Sequence, residues 1–223
     1  MSKNILVIAA HPDDEVLGCA GTIIRHSSNG DNVGVLYVAD GVGARNELFE
    51  ENIKKRKQSA EQALQILGAQ NLGFLDFPDN RLDSVPLLDI VQKIEVIIRN
   101  FLPHVVFTHH SGDLNIDHEI VSRATMTACR PIPGSSVKEI YTYEVMSSTE
   151  WALDGSAFIP NYFVDINEFW DRKKSALDVY NDEMRISPHT RSIKHLESLA
   201  IHRGNCVGME KAEAFQMLFH LKI

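Results

Sequence analysis

Ala9-Ala10-His11-Pro12-Asp13-Asp14-Glu15 follows an apolar run at 5–8 and precedes Val16-Leu17-Gly18-Cys19-Ala20-Gly21-Thr22-Ile23-Ile24. A short apolar run, a polar turn carrying proline and a small-residue helical stretch read as buried strand, loop and helix. In open α/β sheets, ligands bind at such strand ends. One imidazole and three carboxylates stand within five residues here. Left bare, the carboxylates would repel one another, and a bound cation is the simplest way to relieve them. Helix capping and the helix dipole explain acids at a helix start, but they do not explain His11.

With 223 residues, 44% hydrophobic and 23% charged, the chain suits one well-filled domain over 1–223. The formal charge of −8 argues against nucleic acid or an anionic membrane as a broad electrostatic partner. Cys19, Cys129 and Cys206 are odd in number and far apart, with no CxxC pattern, which suits reduced thiols better than a disulfide framework. The apolar run after Lys3 breaks at His11, too short for a signal-peptide core, and no later segment reaches transmembrane length. A cytoplasmic location without a membrane span is the expectation, and a homo-oligomer is allowed.

Alternating apolar runs and amphipathic stretches predict an α/β, Rossmann-like fold: a mostly parallel sheet flanked by helices, with its site at the carboxyl ends of the strands. Strands are expected at 5–10, 33–39, 72–77, 104–109, 139–146 and 162–166. Helices are expected at 16–26, 47–67, 87–102, 121–128, 169–184, 193–202 and, last, 210–219. The loop from Asp40 to Asn46 matches neither GxGxxG nor a P-loop, so it reads as a substrate-side loop rather than a nucleotide cradle. The run Lys54-Lys55-Arg56-Lys57 is by default a solvated face. At helical spacing its members point in different directions, so one can turn inward. The loop carrying Asp79 and Arg81 again follows a strand, where binding groups collect.

A second dense cluster follows the fourth strand and holds His109, His110, Asp113, Asp117 and His118. On a strand-end loop facing the same rim as His11, these residues raise the metal reading.

Together the clusters resemble the zinc-dependent sugar N-deacetylases of the PIG-L and LmbE-like family, a resemblance that spans nearly the whole chain. The first motif stands as Ala10-His11-Pro12-Asp13-Asp14-Glu15 and the second as Asn115-Ile116-Asp117-His118. The resemblance implies His11, Asp14 and His118 as ligands to Zn2+, with Fe2+ or another divalent ion as alternatives. It implies Asp13 as general base, with Asp117 and Asn115 completing the catalytic set. Many members carry a histidine where this chain has Asn115. Asparagine can donate a hydrogen bond but cannot deliver a proton, which leaves His109, His110 and His189 as candidate acids. The expected substrate is a small soluble acetamido-sugar conjugate. Its contacts are expected from Arg45, Asn46, Arg56, Asp79, Arg81 and His189, with Arg56 foremost because a guanidinium fork holds two oxygens at once.

Two histidines and one carboxylate are also the facial triad of iron(II) oxygenases, and a silent metal- or sugar-binding module is a third reading. The carboxylate beside the ligands and the whole-chain resemblance favour hydrolysis.

Overall fold

A computed structural model describes residues 2–42, 49–152 and 156–222. Its strands are β1 (Asn4–Ala9), β2 (Asn32–Ala39), β3 (Gln70–Phe77), β4 (Val105–His109), β5 (Glu139–Tyr143), β6 (Tyr162–Asp165) and β7 (Ala212–His220). They form one seven-stranded sheet in the order β3-β2-β1-β4-β5-β7-β6. The first five pair in parallel, and β7 runs antiparallel to both β5 and β6. The helices are α1 (Asp14–Ser28), α2 (Phe49–Leu67), α3 (Leu87–Phe101), α4 (Ile116–Ala128), α5 (Trp170–Val179) and α6 (Ile193–Asn205).

The central strands are apolar on both sides because helices cover both faces. Along β1, Ile5, Val7 and Ala9 pack with α1, α2 and α5, while Leu6 and Ile8 pack with α3 and α4. Chain order reverses at β1, with β2 on one side and β4 on the other. The crevice beyond the carboxyl ends of β1 and β4 is therefore the switch point where α/β sheets take ligands. Both polar clusters open there.

The small residues of α1 do let it lie close on the sheet. A Cβ at Gly18 would come within 2.3 Å of Tyr143 Cδ2. The helix breaks at Cys19, where φ is −147°. Glu213 restarts it by accepting the Gly21 and Thr22 N–H groups at 2.8 and 2.7 Å and the Thr22 hydroxyl at 2.6 Å. Lys173 Nζ, itself buried, donates to Glu213 at 2.7 Å.

Two expectations are corrected. The stretch 210–219 is not a helix, since β7 occupies most of it. Its alanine, glutamate, methionine and leucine favour helix in isolation, but that preference is weak and pairing with strands on both sides overrides it. The second correction concerns α4, which begins at Ile116 rather than at 121. Asp117 and His118 thus stand in its first turn and are held by helical geometry rather than by a loop.

Candidate active site and metal centre

His11 leaves the end of β1, Asp14 opens α1 and His118 sits in the first turn of α4. One ligand atom from each lies within 4.8 Å of the others, and all three residues are buried. His11 Nδ1 is 3.4 Å from Asp14 Oδ2, and His118 Nε2 is 3.4 Å from Asp14 Oδ1. Asp14 Oδ1 and His118 Nε2 have no hydrogen-bond partner among the described residues. Two buried polar atoms facing each other without hydrogen bonds are costly in a folded chain, and a bound divalent cation would remove that cost. The donor set, two imidazoles and one carboxylate, suits zinc in a site that keeps a position open.

Each histidine turns its other nitrogen to a carboxylate. His11 Nε2 is 3.0 Å from Asp117 Oδ2 and 3.1 Å from Asp79 Oδ1. His118 Nδ1 is 3.2 Å from Asp113 Oδ2. Such partners fix the ring's orientation and tautomer and strengthen it as a ligand. They are themselves held. Asp117 accepts the N–H groups of Asn80 at 2.7 Å and Leu82 at 3.0 Å. Asp113 accepts from Ser148 Oγ at 3.1 Å and from the Thr149 hydroxyl.

The electrostatics call for positive charge. Burial works against a charged His118, yet Asp14 and Asp113 raise its pKa to about 9. Burial likewise opposes charging His11, but Asp117, Asp14 and Asp79 hold its pKa well above the usual value. Burial would raise Asp14, but His118 and His109 hold it well below the carboxylate range. Both rings would have to be neutral to act as metal ligands.

Asp13 stands next to this group and outside it. It is the N-cap of α1 but makes no side-chain capping bond. Its Oδ2 lies 3.3 Å from Arg191 Nη1 and 3.7 Å from Arg56 Nη2. Burial raises its pKa, and the two guanidinium groups oppose that rise. A buried carboxylate with a raised pKa beside a candidate metal group has the attributes of a general base.

The remaining singled-out residues divide. Arg56 does turn inward from α2, is 8% exposed and bridges Asp13 to Glu183 at 3.1 Å. Asp79 is buried against His11. Arg81 is exposed, and so is His189, whose Nδ1 accepts the Arg191 N–H at 3.0 Å. Arg45 and Asn46 lie outside the described residues. Asn115 caps α4, its Oδ1 accepting the Asp117 N–H at 2.9 Å.

Of the candidate acids, His109 accepts the Ala10 N–H at Nε2, 2.8 Å away, and burial beside His118 depresses its pKa to about 4. A neutral ring bonded in this way is part of the frame. His110 Nε2 lies 2.7 Å from the Ser156 carbonyl oxygen. Sequence reasoning assigns Asp113 no role of its own and passes over Arg191. Asp113 had a signal in its place within the second cluster, whereas Arg191, distant in sequence from both motifs, had none.

Among the described residues no helix is long and apolar enough to cross a membrane. Residues 6–129 match the family described as GlcNAc-PI de-N-acetylase (PIG-L). That span holds His11, Asp13, Asp14 and His118 and stops before Arg191. The chain is 34% identical to the uncharacterized deacetylase YaiS of Escherichia coli over 171 residues, covering 74% of this chain and 83% of that protein. It is 25% identical to a diacetylchitobiose deacetylase of Thermococcus kodakarensis over 97% of this chain and 83% of that one. An N,N'-diacetylchitobiose deacetylase structure from Pyrococcus horikoshii has the same fold, with a TM-score of 0.79 at 22% identity, covering 97% of this chain and 84% of that one. With the matching motifs set around one buried His-Asp-His group at the sheet's switch point, the chain belongs to the PIG-L (LmbE-like) deacetylase family.

Proposed function

We propose that this protein is a metal-dependent N-deacetylase that hydrolyses the acetamide of a small N-acetylglucosamine-type conjugate to acetate and an amino sugar. The observation that carries the reading is the unsatisfied pair Asp14 Oδ1 and His118 Nε2 with the separate carboxylate of Asp13 beside it. The relatives named as deacetylases support the reaction class.

His11 through Nδ1, Asp14, and His118 through Nε2 are the residues that would hold the ion. When bound, zinc or another divalent cation supplies Lewis acidity, polarising an amide carbonyl and easing deprotonation of water. Asp13 takes the proton of the attacking water. Burial lifts the basicity of its carboxylate, and the charges of Arg56 and Arg191 beside it oppose that rise. Asp117 and Asp113 hold the two ligand rings in one orientation. The departing amine needs a proton. His109 Nε2 accepts the Ala10 N–H, His110 Nε2 lies against the Ser156 carbonyl and His189 is exposed, so in this reading Asp13 returns the proton it has gained. Arg56 and Asp79, buried beside Asp13 and His11, are the inner contacts for the sugar, and the exposed Arg81 and His189 are the outer ones. The formal charge of −8 disfavours an anionic membrane surface and so favours a soluble conjugate.

The test is acetate release from a panel of N-acetylated sugars that differ in aglycone. Release of equal acetate and free amine supports the reading. Oxygen consumption with a cosubstrate and no acetate would instead indicate the iron oxygenase, and neither product would indicate a binding module.

A further inference from the structure

Asp13 has φ 132° and ψ −24°, a conformation that side chains other than glycine rarely adopt. The residue two positions on bonds to its backbone. Glu15 is fully buried, and its Oε2 accepts the Asp13 N–H at 3.0 Å. Its Oε1 accepts the hydroxyl of Tyr180 at 2.8 Å. Tyr180, 3% exposed, lies just past the end of α5. A first-turn acid that served only the helix dipole would gain its stabilisation in water, without the cost of burial. Glu15 is buried beside Asp13 and Asp14, so its position answers to a local bond.

That bond resembles half of a capping box, made from the second helical position because Val16 stands at the third. In the full motif the N-cap side chain accepts a helix N–H while an acid at the third helical position accepts the N-cap N–H. Here Glu15 makes the second bond, and the Asp13 side chain does not make the first. The Asp13 carbonyl accepts the N–H groups of Val16 and Leu17 at 3.0 and 2.9 Å, so the helix start is satisfied without its carboxylate. The carboxylate is left to face Arg191 and Arg56.

We propose that Glu15 and Tyr180 are positioning residues: they clamp the Asp13 backbone in its left-handed conformation, and this sets the direction of the Asp13 carboxylate. What that direction serves, proton transfer in amide hydrolysis, rests on the N-deacetylase reading; the clamp itself does not.

The experiment compares the Tm of Asp13→Gly and Asp13→Ala in the metal-loaded full chain, in the wild-type, Glu15→Gln and Glu15→Met backgrounds. Both replacements remove the carboxylate, so their difference reports backbone strain. Glycine's ordinary N-cap advantage over alanine is common to all backgrounds. We expect glycine to exceed alanine by roughly 4 °C more in wild type than in Glu15→Met. Glu15→Gln retains a carbonyl acceptor for the Asp13 N–H and should preserve the wild-type difference. Tyr180→Phe keeps the fold's shape and supplies the same comparison if Glu15→Met does not fold; there the difference should shrink. With Asp13 intact, Tyr180→Phe should lower kcat by roughly tenfold to a hundredfold and leave KM and metal content unchanged. A glycine-over-alanine difference that is the same in the Glu15→Met and Tyr180→Phe backgrounds as in wild type overturns the clamp. If wild type releases no acetate from any substrate, the deacetylase reading fails, while the thermal comparison still decides the clamp.

Discussion

His118 Nε2 lies 3.4 Å from Asp14 Oδ1, and both atoms are buried without a hydrogen-bond partner among the described residues. In contrast, the other ring nitrogen of His118 is 3.2 Å from Asp113, a carboxylate that Ser148 and Thr149 hold in turn. One side of the ring is fully furnished and the other is left open toward a carboxylate. A metal ligand with an orienting partner has this asymmetry.

The first prediction follows from that asymmetry. Asp113→Asn should keep the fold and weaken metal binding by about 10- to 100-fold, read by competition with a chelator. His118→Ala should lose the metal on purification. Full metal content in His118→Ala would remove His118 from the ligand set.

Asp13 is predicted to separate chemistry from binding. It faces two guanidinium groups rather than the ligand atoms, so Asp13→Asn should retain metal and lose roughly 10²- to 10⁴-fold in kcat. Metal loss with the rate restored on reconstitution would exchange its role with that of Asp14.

Arg191 gives a pH dependence with a definite sign. Burial raises the Asp13 pKa, and the charges of Arg56 and Arg191 counter it. Removing Arg191 takes away one of those opposing charges, so the Asp13 pKa rises further. The base must be ionised to act, so Arg191→Ala should move the acid limb of the kcat/KM profile to higher pH. An unmoved limb would mean that Arg191 does not reach the base.

Much of this site was legible because local sequence dictates it. The apolar run at 5–8, the Pro12 turn and the small residues of α1 specify a strand, loop and closely packed helix before any tertiary contact is known. Position after a strand was enough to bring the second cluster to the same rim, and helical spacing in 54–57 allowed Arg56 to turn inward. What could not be read depends on distant partners. The segment 210–219 has helix-forming residues, and only the neighbouring strands β5 and β6 make a strand of it. His189 is a candidate from the sequence as a histidine, yet the residue that reaches Asp13 is Arg191, brought there from 178 positions away in the chain. The bonds of Glu15 to the Asp13 N–H and to Tyr180 likewise depend on the folded arrangement.

Glu213 should prove one of the more costly single losses in the fold. It satisfies three donors at the α1 break and neutralises the buried ammonium of Lys173. Glu213→Ala leaves that charge unpaired, at a cost of about 3–5 kcal/mol, and should lower Tm by on the order of 10 °C. A change of only a degree or two would show that water or local rearrangement replaces the carboxylate.

The central claim is that amide hydrolysis here depends on one cation held by His11, Asp14 and His118. The most direct measurement strips the purified chain with a chelator and titrates zinc back while following acetate release from an N-acetylglucosamine conjugate. We predict no release from the stripped chain and recovery in proportion to bound metal, complete at about one ion per chain. Undiminished acetate release from the metal-free chain would contradict the account.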